Sequence, residues 1–277
     1  ELKKMIFTKD LYIPSNPEYK ILEIDALHSV PLKSHSRVPI LVRFKAQRPK
    51  EQPTYIGCIF KIEDDVRMDA LIIQLIDRIY HILLDSGINC FLLPYRIYAT
   101  GDKRGVIECI QNAKSRHDIG INTKVPLLKY FIAAYGQVGS PEFEKARYNF
   151  IKSMAPYSLI CYLFQVKDRH NANIMIDNEG HIIHIDFGFI FDISPGGNMK
   201  FEKAPFKLSN EMVELMGGLG SPGFNKFAEM FSQCFCAVRS RIDEIEAIAY
   251  LMKDAGLPCF KNDSFKKLRE RMFLDKV

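Results

Sequence analysis

Between residues 65 and 86 the side chains Leu71, Ile72, Leu75, Ile76, Ile79, Tyr80 and Leu83 recur every three or four positions. That spacing lines one face of a helix, and Gly87 is placed to end it. Elsewhere in the first 110 residues Pro, Ser and Asn cut the chain into short β-branched runs. These predict strands at 19–24, 39–44, 55–62, 90–95 and 105–110. After residue 112 the pattern becomes helical, with one helix over Leu127 to Tyr135 and a longer one opening at Pro141. The longer one carries Phe143, Phe150, Met154, Leu159 and Leu163, and Pro156 is expected to kink or divide it. Helical periodicity returns from Asn210, broken by Gly and Pro clusters at 217–223 and 256–258, and no internal repeat is visible. The pattern predicts an α+β chain: a sheet-rich lobe over 1–110 with one long helix, then a mostly helical lobe over 111–277, joined near 108–112.

With 277 residues, 47% apolar and 26% charged, the chain can bury a substantial core. It contains no run of eighteen uncharged apolar residues, and from Glu1 onward it lacks the basic-then-apolar order of a signal peptide, so no membrane span is expected. The seven cysteines are odd in number and sit mostly in apolar runs, the usage of reduced thiols in the cytosol. Cys234 and Cys236 have no second pair at zinc-ligand spacing. A net charge of +5 suits an anionic membrane or a nucleotide without choosing between them.

Chemistry concentrates in Lys167 to Asp192, KDRHNANIMIDNEGHIIHIDFGFIFD. Asn173 to Ile176 and His181 to Asp186 read as two strands about the turn Asp177-Asn178-Glu179-Gly180. A hairpin of that register brings Asn173 and Asp186 to its open end on strands about 4.8 Å apart, within reach of one ion. Two hard oxygen donors with room for phosphate and water describe a Mg2+ site for a nucleotide. Asp168 precedes Asn173 by five residues, the interval of a protein-kinase catalytic loop, and Asp186-Phe187-Gly188 supplies a second kinase element. Upstream, Lys61 closes the strand Gly57-Cys58-Ile59-Phe60, and Asp69 lies about one turn into the next helix. A lysine there can contact a phosphate while a carboxylate steadies its stem. Gly218-Leu-Gly220-Ser-Pro-Gly223 fits a dinucleotide pattern, but Pro222 removes a needed donor and the context is helical, so an interhelical loop is expected.

Over nearly its whole length the sequence resembles the phosphatidylinositol 3- and 4-kinase family, and within it the type III alpha phosphatidylinositol 4-kinases. The stretches that carry the resemblance are 59–69, 92–110, 146–175, 180–198 and 205–218. The order Asp168-Arg169-His170 marks the lipid-kinase branch and its protein-kinase relatives, and SPGGN followed by PFKL resembles the 4-kinases. The resemblance implies a bilobal protein-kinase-like fold, with a catalytic loop at 167–173, the DFG element at 186–188 and an activation loop at 186–208. It implies that Lys61 binds phosphate with Asp69 and Tyr95 in support, and that Ser36 and Arg37 belong to the phosphate loop. The backbone of Glu108 and Ile110 would hydrogen-bond adenine, and Ile59, Met175 and Ile185 would sandwich it. Asp168 and His170 would activate or orient the acceptor hydroxyl, Asn173 and Asp186 would hold the metal, and Arg169 and His184 would support the loop. The implied cofactors are ATP and Mg2+, with Mn2+ as the alternative. Met68 and Ala172 depart from the family's usual residues, but neither position supplies a metal oxygen.

The middle of the activation loop, residues 193–199, has no basic residue, and Lys200, Lys203 and Lys207 are scattered around it. A ring already carrying phosphates needs Lys or Arg partners, so the expected acceptor is plain phosphatidylinositol, and the resemblance to the 4-kinases implies its 4-hydroxyl. Phosphoinositide 3-kinase, a related Ser/Thr protein kinase and a nucleotide-binding pseudokinase or scaffold are the competing expectations. The family resemblance further implies peripheral contact with the cytosolic face of a membrane, the plasma membrane above others. It also implies scaffold partners bound through regions outside this chain, C-terminal truncation relative to the family, and no nucleic-acid partner.

Overall fold

Strand β3 (Ile40–Gln47) buries Val42, Phe44 and Ala46 and leaves the residues between them partly exposed, the period-two signature of a sheet with one packed face. This computed structural model describes residues 10–32, 38–121, 125–197, 201–261 and 263–273. Ser36 and Arg37, expected in the phosphate loop, lie outside the described residues. The chain divides into two compact units, residues 1–73 with 95–111, and residues 74–94 with 112–277.

The first unit is a six-stranded antiparallel sheet. Its other strands are β1 (Leu11–Ile13), β2 (Asn16–Pro31), β4 (Thr54–Ile62), β5 (Ile97–Gly101) and β6 (Arg104–Glu108), in the order β1-β2-β3-β4-β6-β5. Ile13, Ile21, Val42, Phe44, Ala46, Ile56, Cys58 and Val106 form its core, with Tyr19, Ile24 and Phe60 packed against it. Helix α1 (Arg67–Asp85) follows the predicted periodicity and ends at Gly87, whose φ of +71° suits glycine.

The second unit begins within α1 and holds a three-stranded sheet, β7 (Ala113–Ser115), β8 (Ile174–Asp177) and β9 (Ile182–His184). Its further helices are α2 (Arg116–Ile121), α3 (Leu127–Tyr135), α4 (Pro141–Phe164), α5 (Asn210–Leu215), α6 (Pro222–Ser240), α7 (Ile242–Leu251) and α8 (Ser264–Met272). Ser140 caps α4 by accepting from Phe143 N, with Pro141 following at the first helical position. From Phe150 onward α4 is buried on nearly every side and packs against α3, α6, α8 and β9.

Two local expectations are corrected. Residues 90–95 form no strand, because the backbone donors there turn to α4: Phe91 N donates to Lys152 O at 3.0 Å and Leu93 N to the Tyr157 hydroxyl at 3.3 Å. The same bond explains why Pro156 does not divide α4. Proline orphans the carbonyl four residues earlier, here that of Lys152, and the Phe91 N–H occupies it. Residues 217–221 form the expected interhelical loop, Ser221 caps α6 by accepting from Phe224 N, and Pro222 and Gly223 of the same run open the helix.

Candidate functional site

The hairpin β8–β9 pairs Ile174 with His184, Met175 with Ile183 and Ile176 with Ile182. Gly180 closes its turn at φ +94°, where a Cβ would come within 2.8 Å of Ala146 O on α4, so a side chain there would lift the hairpin off the helix. Pairing runs one step past the strands, since Ile185 N donates to Asn173 O at 3.2 Å. Asn173 and Asp186 therefore meet at the open end, although neither is a strand residue as expected. Asn173 closes a 3-10 turn over Asn171–Asn173, and Asp186 is left-handed at φ +60°. Asn173 is buried, and its Nδ2 donates to Asp168 O at 3.0 Å, which turns Oδ1 to the opposite side. The Asp186 side chain is exposed, with Oδ1 3.4 Å from Gly188 N.

Arg169 organises this loop. Its buried guanidinium donates to Lys167 O (3.1 Å), to Ile185 O (2.8 Å) and to Asp186 O, and it lies over the Phe187 ring. A planar group with five donors can bridge several carbonyls at once. Asp168 is left-handed at φ +63°, a conformation costly for a non-glycine residue and one that the surroundings must enforce. Its carboxylate is 32% exposed and that of the neighbouring His170 imidazole 53%, so both are within reach of an acceptor. His170 Nε2 stands 3.8 Å from Asp168 Oδ2, while Nδ1 accepts from Ala172 N at 3.2 Å. A ring nitrogen that accepts carries no proton, so in the neutral ring Nε2 holds it. His184, by contrast, is buried, stacked on Tyr157 at 4.8 Å, and in contact with Cys161 Sγ at 3.5 Å. Burial, with Arg169 and Lys207 adding to it, holds its imidazole well below the usual range, so it is neutral and walled off from an acceptor.

Met175 and Ile185 are half-buried on the same face of the hairpin, two residues apart across the ladder. In the first unit Ile59 lies on the sheet face opposite the core residue Cys58, flanked by Leu41 and Ile107. Both apolar faces have the character needed to stack on a base.

Lys61 is the penultimate residue of β4, with its ammonium 3.1 Å from Asp64 Oδ2, a partner the sequence reading missed. Asp69 is buried in the first turn of α1, and Tyr95 is buried as well. At Glu108 the main-chain N–H donates to Arg96 O at 2.8 Å, so it is spent within the sheet. Arg96 N does not return the bond to the Glu108 carbonyl. It donates instead to the Glu108 carboxylate at 3.0 Å, and the carbonyl oxygen is the group Glu108 can offer a ligand. Ile110 follows at the end of the same run, half-buried.

Two contacts around the catalytic loop had no signal in the sequence. The Glu202 carboxylate accepts from Asp168 N at 3.2 Å and from Arg169 N at 3.3 Å. Lys207 Nζ donates to Asn171 Oδ1 at 2.7 Å, and burial lowers its pKa.

A family model described as phosphatidylinositol 3- and 4-kinase matches residues 55–262. The chain is 41% identical over 282 residues to phosphatidylinositol 4-kinase STT4 of Saccharomyces cerevisiae, covering 98% of this chain and 15% of that protein. Against phosphatidylinositol 4-kinase stt4 of Schizosaccharomyces pombe the identity is 42%, over 94% of this chain and 15% of the relative. Phosphatidylinositol 4-kinase alpha 1 of Arabidopsis thaliana is 40% identical over 95% of this chain and 13% of its own length. The chain thus spans about 15% of the length of the first two curated relatives. Among the described residues no helix is long and apolar enough to cross a membrane. With a mixed sheet-and-helix, kinase-like fold matched over most of its length, the chain belongs to the phosphatidylinositol 3- and 4-kinase family.

Proposed function

We propose that this chain is the catalytic core of an ATP-dependent lipid kinase that transfers the γ-phosphate to the 4-hydroxyl of phosphatidylinositol, giving phosphatidylinositol 4-phosphate. The observation that carries the reading is the loop in which Asn173, bonded through Nδ2 to Asp168 O, stands beside Asp186 at the open end of the hairpin. The names of the relatives favour the 4-position.

Asn173 and Asp186 fit a hard divalent cation, Mg2+ before Mn2+, because both offer oxygen and the Asn173 amide nitrogen is already committed. The metal supplies charge neutralisation on the phosphates of ATP. Lys61 adds a positive charge to the phosphates, Asp64 and Asp69 steady it, and Tyr95 supports that end of the sheet. The Glu108 carbonyl and Ile110 backbone hold adenine, with Ile59, Met175 and Ile185 against its faces. Asp168 takes the hydroxyl proton: with Nδ1 of His170 accepting from Ala172 N, the ring presents a donor and the carboxylate is the base. His170 then orients the hydroxyl, and Arg169 and His184 keep the loop in shape. Phosphoryl transfer asks for this kind of positioning and charge balance, with little covalent chemistry from the protein.

The acceptor is the unphosphorylated lipid, since residues 193–199 carry no base to pair with ring phosphates. The chain meets it from the cytosolic face as a peripheral protein, at the plasma membrane, and scaffold partners bind through regions outside this chain. Incubation with labelled ATP and a panel of phosphoinositides, followed by identification of the product isomer, tests the proposal. A 3-phosphate product, or preference for a bisphosphorylated lipid, overturns it.

A further inference from the structure

Glu202 lies 34 positions beyond Asp168, yet it touches three consecutive residues of the catalytic loop. Its two carboxylate oxygens accept from the main-chain N–H groups of Asp168 (3.2 Å) and Arg169 (3.3 Å), and its own carbonyl accepts from Lys167 Nζ (3.3 Å). Successive N–H groups around a left-handed residue form a small anion-binding concavity, and Asp168 is left-handed at φ +63°. Those two N–H groups belong to no helix or strand, and the main chain of Arg169 is buried. Left unpaired they would carry a desolvation cost, and Asp168 would lose a restraint on a backbone conformation it does not prefer. A carboxylate meets the need better than a neutral acceptor, because hydrogen bonds to a charged acceptor are roughly twice as strong. Glu202 also lines a cavity of about 520 Å3 with Val166, Arg169, Pro205, Phe206 and Lys207.

We propose that Glu202 is a positioning residue that latches the segment following Asp186 onto the catalytic-loop backbone and thereby holds Asp168 in its working conformation. Its catalytic consequence rests on the phosphotransfer reading above, but the latch itself does not.

The test compares the full chain with Glu202→Gln and Glu202→Ala. Gln is isosteric and keeps one acceptor oxygen, so it guards against a folding defect in Ala. Hydrogen exchange at the Asp168 and Arg169 amides, without substrate, is expected to quicken in the order Glu, Gln, Ala, by tenfold or more for Ala. With substrate, kcat should fall by about 10- to 100-fold, the size of effect a small displacement produces, while KM for ATP stays within about twofold. Unchanged exchange at both amides in Glu202→Ala overturns the latch. Equal losses in kcat, ATP affinity and melting temperature in both variants overturn it in favour of a general structural role. Should the wild type phosphorylate some other acceptor, the lipid reading fails, and the latch is still judged by exchange and by kcat on that acceptor.

Discussion

The side-chain amide of Asn173 donates to the main-chain oxygen of Asp168 at 3.0 Å, so the residue proposed to hold the metal is tied to the backbone of the residue proposed as base. One bond orients the Asn173 oxygen and fixes the spacing across the loop. Removing the Asn173 side chain should therefore cost stability as well as chemistry, whereas removing the Asp168 side chain leaves this bond in place.

Asp186→Ala is expected to lower phosphotransfer by about 10²- to 10³-fold or more. The Asp186 side chain is exposed and its main-chain oxygen still accepts from Arg169, but Ala tolerates the left-handed backbone at φ +60° less well than Asp, so stability should fall by about 1 kcal/mol. Radiolabel transfer and thermal melts measured on the same preparation check this. A folded variant with full rate ends the metal assignment.

If Asp168 is the base, Asp168→Asn should cost about 10²- to 10⁴-fold in kcat. His170→Gln, which loses only an orienting donor, should cost less. Single-turnover rates for both variants decide the order, and a larger loss at His170 would reverse the assignment.

Arg169→Met should destabilise the protein by about 3 kcal/mol, because it strips donors from the carbonyls of Lys167, Ile185 and Asp186 in a buried setting. Arg169→Lys should recover little, since an ammonium cannot span three acceptors laid out for a planar group. Denaturant midpoints at constant slope report both. A fully stable Lys variant would show that charge alone suffices.

His184 contributes a pH dependence of defined sign. Its imidazole is held neutral by burial, so its folded pKa lies below the unfolded value of 6.5. Under acid the unfolded chain gains a proton that the folded one does not, and stability falls as pH drops below about 6.5, by up to ~1.4 kcal/mol per pH unit from this group. His184→Gln should flatten that part of the stability curve relative to wild type in melts between pH 7 and pH 5. An unchanged slope would show that other groups set it.

Much of the fold was legible because the relevant interactions are local. The period of α1, the apolar run of α3, the β-branched run of β4 and the tetrapeptide turn of the hairpin all depend on neighbours within a few positions. The candidate loop was legible for the same reason, with Asp168, Asn173 and Asp186 falling within one short stretch.

Tertiary partners decided the rest. Residues 90–95 have strand composition but spend their donors on α4, and that donation allows Pro156 to sit inside a continuous helix. Propensity cannot anticipate either outcome, because each needs a hydrogen-bond partner some sixty residues away. Glu202 is a further case, an acidic residue in a loop until the chain folds its carboxylate onto two amide groups of the catalytic loop. The sequence determined which residue types stand at which short intervals, and so the elements and the chemistry within reach. Only the folded backbone determined which polar groups lacked a local partner, and that need selected the distant residues that answer them.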